Sequence, residues 1–206
     1  MRVLWLLEEL GVDYELVLHT FDRALRNPEY LKLSPAGRVP ALEIDGDVLW
    51  ESGAINEYLC ERFPEKGLGR APGHPERAEW LILMHFAETI SQHAAALTQQ
   101  HIVIYDDAMR SPTVMKLEAK RLEKCFEAIE HHLDQRPHLL MSGFSSADVG
   151  IGQAIYMARR FVRLDPFPAL SDWYDQITKR KAFRTALPPE GSTPLYQKDF
   201  YSPWVA

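Results

Sequence analysis

The chain has 206 residues, 46% hydrophobic and 25% charged, with 29 Asp and Glu against 23 Lys and Arg for a net charge of −6. That is the balance of a globular protein long enough for one large domain or two small ones; the lack of a basic block argues against a nucleic-acid binder, and no apolar run nears the ~20 residues of a membrane span. Cys60 and Cys125 fall in helical stretches without Cys-x-x-Cys spacing and read as reduced structural thiols, and Glu8 and Glu9 break the leading apolar run before any cleavage site, so the expected location is cytoplasmic.

In chain order, Val3, Leu6, Leu7 and Leu10 recur at helical spacing, with Glu8 and Glu9 off that face and Gly11 as the C-terminal cap. Residues 14–18 read as a short buried strand, and 27–33 as a short helix or turn. Two apolar runs then flank Asp45-Gly46, a pair that favours a two-residue turn with positive φ, so residues 41–50 are expected to form an antiparallel hairpin. Pro40 opens that hairpin with no N–H for a ladder. A cis Val39-Pro40 bond would turn the Val39 backbone outward, as a free edge on which an extended peptide can pair. Ser52 is the expected N-cap of a helix carrying Ala54, Ile55, Tyr58, Leu59 and Arg62, which stops at Phe63-Pro64.

The density of Pro and Gly from Pro64 to Pro75 suits no regular element and marks a domain boundary. The expected division is an α/β domain over 1–64, a linker over 65–75 and an all-helical domain with a C-terminal tail over 76–206. Within the last, one amphipathic helix runs from Trp80 through Met84, Ile90 and Ala94 towards Met109, and a second from Val114 to Leu133. A third spans Ser146 to about Arg163, a fourth about Leu170 to Arg180, and the tail from Pro188 is rich in proline and aromatics. Ser145-Ser146-Ala147-Asp148 has the form of a capping box, with Phe144 placed to staple onto Val149. The expected role of Asp148 is therefore structural, and its loss should lower stability and leave ligand affinity alone.

Four segments in this order resemble the soluble glutathione transferase family: Arg2-Val-Leu-Trp-Leu-Leu-Glu-Glu-Leu-Gly11, Ser34-Pro-Ala-Gly-Arg-Val-Pro-Ala-Leu42, Trp50-Glu-Ser-Gly-Ala-Ile55 and Gly143-Phe-Ser-Ser-Ala-Asp148. The resemblance covers nearly the whole chain. It implies a thioredoxin-like first domain, a helical-bundle second domain and glutathione as co-substrate, bound by Arg38, Val39, Pro40, Glu51 and Ser52. Ser52 would take the γ-glutamyl carboxylate at a helix N-terminus, where free amides and the helix dipole favour an anion. Glu51 would take the γ-glutamyl ammonium, the Val39 backbone would pair with the cysteinyl residue, and Arg38 would meet the glycyl carboxylate.

In this family a strand and a loop with a thiol-activating Ser, Tyr or Cys precede a helix like residues 2–11. The expectation is therefore that the sequence starts at an internal methionine, lacks the first strand of its sheet, and contains no catalytic residue of its own; no metal site is expected. The implied activity is conjugation of the glutathione thiolate to a small apolar electrophile, in the manner of detoxification. The electrophile would lie between the 38–40 loop and the inner faces of the first and third helices of the second domain, within reach of His85, Glu88, His93 and Tyr105, although packed or solvated roles are the simpler reading of these four. The alternatives are a non-catalytic transferase-like binding module, or a glutathione-dependent isomerase, dehalogenase or thiol reductase. The resemblance also implies a homodimer. The tail or a strand from a partner subunit are candidates to fill the gap in the sheet.

Overall fold

A computed structural model of the chain describes residues 1–19, 23–189, 191–192 and 194–202. Helix α1 (Arg2–Leu10) ends at Gly11, where a φ of 63° lets the N–H reach the Leu7 and Glu8 carbonyls. Its buried face is wider than the apolar spacing implied. Arg2 and Trp5 lie on it beside Leu6 and Leu10. Glu9 is not solvated either: its side chain accepts from Trp5 Nε1 at 3.0 Å and from Arg180 Nε and Nη2 at 2.6 and 2.7 Å.

Residues 14–18 do not form the expected buried strand. They run without regular structure, with Leu16, Val17 and Leu18 at least half exposed, and the sheet of the described residues is the two-stranded hairpin alone. An extended apolar segment becomes a strand through ladder partners and a covered face, and this one has neither. Tyr14 instead closes back on α1, its hydroxyl donating to Glu8 Oε1 at 2.5 Å. Helix α2 (Pro28–Leu33) follows, capped by Asn27, whose side chain accepts from the Glu29 N–H.

The hairpin forms as its sequence dictates. Strands β1 (Ala41–Ile44) and β2 (Asp47–Trp50) pair antiparallel with Ala41 opposite Trp50, and Asp45 and Gly46 both take positive φ, 52° and 89°. Leu42, Ile44 and Leu49 pack on the core, while Glu43, Val48 and Trp50 face outward. Helix α3 (Ser52–Arg62) begins one residue earlier than a Ser52 cap would place it. Glu51 holds the cap position and Ser52 is the first helical residue.

The Pro/Gly segment that follows is tightly held. Pro64–Lys66 makes a 3₁₀ turn, and the buried Arg70 side chain donates to the carbonyls of Gly67 and Gly69 at 2.9 and 2.8 Å and to Ser142 Oγ at 2.7 Å. A Cβ on Gly69 would stand 2.7 Å from that of Cys60, so the segment can lie against α3 only with glycine there.

Beyond it lie α4 (Arg77–Thr98), α5 (Pro112–His132), α6 (Ser146–Ala158), α7 (Pro168–Thr178) and α8 (Lys181–Thr185). Helix α4 does not continue to Met109. It unwinds through a π turn at Gln99–Val103, and the Ile104 carbonyl is taken by Arg110 Nε and Nη2. Helix α6 ends at Ala158 rather than near Arg163, in a tight turn closed by Phe161 N–H on the Ala158 carbonyl. The fourth expected helix is α7, and α8 follows it beyond Arg180 as a further short helix that was not expected.

Helix α6 is the centre of the core, buried on nearly every side by α4, α1 and α7. At Gly152 an added Cβ would meet Ile177 Cδ1 at 2.6 Å and Trp5 Cη2 at 2.9 Å, so glycine lets α1 and α7 close on it together. The capping box is present at its start. Asp148, fully buried, accepts from the Ser145 N–H, the Leu139 N–H and Trp173 Nε1 at 2.8, 3.1 and 3.0 Å. Burial pushes its carboxyl upward, and the Trp173, Leu139 and Ser145 bonds pull against that. Phe144 lies beneath the Arg180 guanidinium, 3.9 Å from ring centre to Cζ. The described part of the tail fills no place beside residues 14–18: Tyr196 and Tyr201 pack on Phe161, and the Tyr201 N–H donates to the Arg160 carbonyl at 2.7 Å. Among the described residues no helix is long and apolar enough to cross a membrane.

Candidate functional site

The hairpin register brings the two sequence motifs together. Because Ala41 pairs with Trp50, Pro40 and Glu51 are the next residues outward on the two strands, at the open end of the hairpin, where α3 starts.

The 38–40 loop is held from behind and open in front. Tyr30 OH donates to the Arg38 carbonyl at 2.8 Å, and the Arg38 N–H reaches the buried Ser34 Oγ at 3.4 Å. Gly37, at φ 62°, lies where a Cβ would come within 3.0 Å of the Leu25 carbonyl oxygen. The Val39-Pro40 peptide bond is cis. The Arg38 side chain is exposed and Val39 is 46% exposed. Among the described residues neither side chain makes a hydrogen bond or ion pair.

Glu51 adopts φ 74° and ψ 111°, backbone angles that a residue with a side chain rarely takes and that cost about 1–3 kcal/mol. The residue is exposed and makes no side-chain cap to α3. The first N–H groups of α3 have no carbonyl a turn earlier to accept them, so they and the helix dipole form an anion-favouring end beside the Glu51 carboxylate. Opposite charges of one zwitterion would therefore find opposite partners at adjacent residues.

Ser52 is partly buried, and its Oγ accepts from Arg2 Nη1 at 3.2 Å. Arg2 is 6% exposed and also reaches Glu88 and Ser91 on α4, the latter through Nη2 at 3.0 Å. Arg2 is the residue that sequence reading missed. The signal was there, an arginine in register with Trp5 and Leu6 on an apolar helix face, but spacing gives no indication of what such a cation meets.

A cleft of about 280 Å³ between α3 and α4 continues from this point, lined by Glu51, Gly53, Ala54, Glu57, Met84, His85 and Glu88. His85 and Glu88 are thus near the motifs. His93 and Tyr105 are not part of it: His93 Nδ1 pairs with Glu118 at 2.7 Å between α4 and α5, and Tyr105 stands 92% exposed beyond the end of α4. Burial pushes the Cys60 thiol up to about 11, which keeps it protonated and unreactive near neutral pH. No cluster of His, Cys, Asp and Glu among the described residues could hold a metal ion.

Residues 1–62 match the family model described as "Glutathione S-transferase, N-terminal domain". Over most of its length the chain is similar to Glutathione S-transferase 3 of Zea mays, 30% identical with 94% of this chain and 92% of that one covered. It is likewise similar to the probable glutathione S-transferase GSTF1 of Oryza sativa subsp. japonica, 31% identical with 93% of each covered. Among solved structures, it superposes on the theta class glutathione S-transferase of Xanthomonas axonopodis pv. citri with glutathione bound, at a TM-score of 0.79 and 27% identity over 95% of this chain and 92% of that one. The glutathione transferase URE2P6 of Phanerochaete chrysosporium, solved with oxidized glutathione, shares the fold at a TM-score of 0.80, 24% identity and 89% and 87% coverage.

Proposed function

The chain belongs to the glutathione S-transferase family, with that family's thioredoxin-like N-terminal and helical C-terminal fold and with glutathione as co-substrate, and from this premise we propose how it holds the tripeptide and what it does with it. As a glutathione transferase it joins the glutathione sulfur to a second molecule, and the non-catalytic, isomerase, dehalogenase and reductase readings are not favoured.

In our reading the γ-glutamyl carboxylate lies at the N-terminus of α3 and accepts from the Ser52 hydroxyl and backbone, while its ammonium meets Glu51. The cysteinyl backbone pairs with Val39 ahead of Pro40, and Arg38 meets the glycyl carboxylate. Held at both ends, the tripeptide presents its sulfur away from the hairpin and towards the helical half. The thiolate is the reacting form; it attacks an electrophilic carbon of a small, mainly apolar second substrate, forming the C–S bond as the leaving group departs. The observation that carries this reading is the junction of Pro40 and Glu51 across the open end of the hairpin, directly ahead of Ser52.

We further propose domains at 1–64 and 76–206 joined by 65–75, a two-fold homodimer, a cytoplasmic location and a part in detoxification. The family relationship supports each of these. Calorimetric titration with glutathione tests the site. Binding that weakens about tenfold in Ser52→Ala, the effect of losing one hydrogen bond to a charged group, supports it; unchanged affinity in both Ser52→Ala and Glu51→Ala overturns it. Sedimentation of the purified chain tests the dimer.

A further inference from the structure

We infer that Arg2 is a positioning residue for glutathione: acting through the Ser52 hydroxyl, it fixes the donor that receives the γ-glutamyl carboxylate. This rests on the binding reading above and adds a residue to it.

A guanidinium has donors only, so in the contact of Arg2 Nη1 with Ser52 Oγ the serine oxygen must accept. The hydroxyl hydrogen of Ser52 is then left to point away from Arg2. A free serine hydroxyl at the start of a helix rotates among three wells and can turn back on its own backbone; here one lone pair is fixed from behind, and the O–H is preset to donate. The guanidinium itself cannot swing away. Nη2 is tied to Ser91 Oγ at 3.0 Å, Nη1 also meets Glu88, and the side chain is 6% exposed. Glu88 offsets the arginine charge, so the contribution is one of orientation more than of bare attraction, and three elements, α1, α3 and α4, meet at this one group. Arg2 Nε, buried and without a hydrogen-bond partner among the described residues, is the cost of placing it there.

The test uses calorimetry with two ligands, glutathione and the analogue 4-aminobutanoyl-cysteinyl-glycine, which lacks the α-carboxylate. Arg2→Gln should weaken glutathione about tenfold and leave the analogue nearly unchanged, and it should add nothing in a Ser52→Ala background. Arg2→Lys, which keeps charge but has one nitrogen in place of the fork, should recover only part of the loss. A merely structural arginine would lower the melting temperature and the active fraction, with the same affinity per folded molecule and the same ratio between ligands. That outcome overturns the inference, as does a full tenfold effect that persists without Ser52. Should Arg2→Gln not fold, Ser91→Ala loosens the guanidinium while retaining it, and the same selective, Ser52-dependent loss of severalfold is expected; no loss there overturns the inference equally. If Ser52→Ala and Glu51→Ala both leave glutathione affinity intact, it is the underlying binding reading that has failed; if Ser52→Ala alone does so, the inference about Arg2 falls.

Discussion

Two helices of this protein begin in opposite ways. At the start of α6, Ser145 and Asp148 satisfy each other, the carboxylate accepts further from Leu139 and Trp173, and nothing of the group is exposed. At the start of α3 the cap residue Glu51 sits at φ 74° with its side chain exposed, and no side chain caps the first amides. A saturated terminus stabilises the fold and has nothing left to offer a ligand. An unsaturated one is held by its surroundings in a costly conformation and keeps its capacity for one. The same chemistry, carboxylate and hydroxyl at an N-terminus, serves structure in one place and, in the function proposed above, recognition in the other.

The largest effect that distinguishes the two should come from Asp148→Ala. It leaves the Leu139 N–H and Trp173 Nε1 buried without acceptors and should cost about 3 kcal/mol in urea unfolding, with glutathione affinity of the folded fraction unchanged. A large loss of affinity at unaltered stability would erase the contrast. Ser52→Ala should do the reverse, weakening glutathione about tenfold while shifting the melting temperature little, since its hydroxyl caps nothing and Arg2 Nη1 keeps Glu88 as an acceptor.

Glu51→Gly sharpens the comparison further. Relief of the positive φ should stabilise the protein by about 1 kcal/mol, and loss of the carboxylate should weaken glutathione, so stability and affinity move in opposite directions. A variant that loses both would mean Glu51 is structural. The smallest effect concerns the buried body of α3. The Cys60 thiol is held up to about 11 by burial, so the folded state keeps this proton more tightly than the unfolded chain. The associated stability is complete below the ordinary thiol range and is lost as pH rises through it towards 11. By about pH 9.5 the loss should be about 1 kcal/mol, seen as a fall in the urea midpoint that Cys60→Ala abolishes.

Much of this was legible in the order of the residues, and the reasons are local. Asp45-Gly46 adopts positive φ wherever flanking strands can pair, Gly11 ends α1, and the capping box needs only three residues' separation, so each can be read without knowledge of the rest. That Arg38-Val39-Pro40 and Glu51-Ser52 lie side by side was legible for the same reason, because one short hairpin joins them.

What sequence could not decide depended on distant partners. Residues 14–18 have the composition of a strand, yet a strand exists only beside another, and none lies beside them in the described structure. Glu9 looked solvated until Arg180, 171 residues away, closed on it. Helix α4 gives way at Thr98 to a π turn, and Arg110 takes the Ile104 carbonyl beyond it, neither of which periodicity records. Above all, Arg2 reads as an ordinary second residue. Only packing of α1 against α3 and α4 carries its guanidinium to Ser52, Ser91 and Glu88, because a buried charge takes its role from the groups that pair with it.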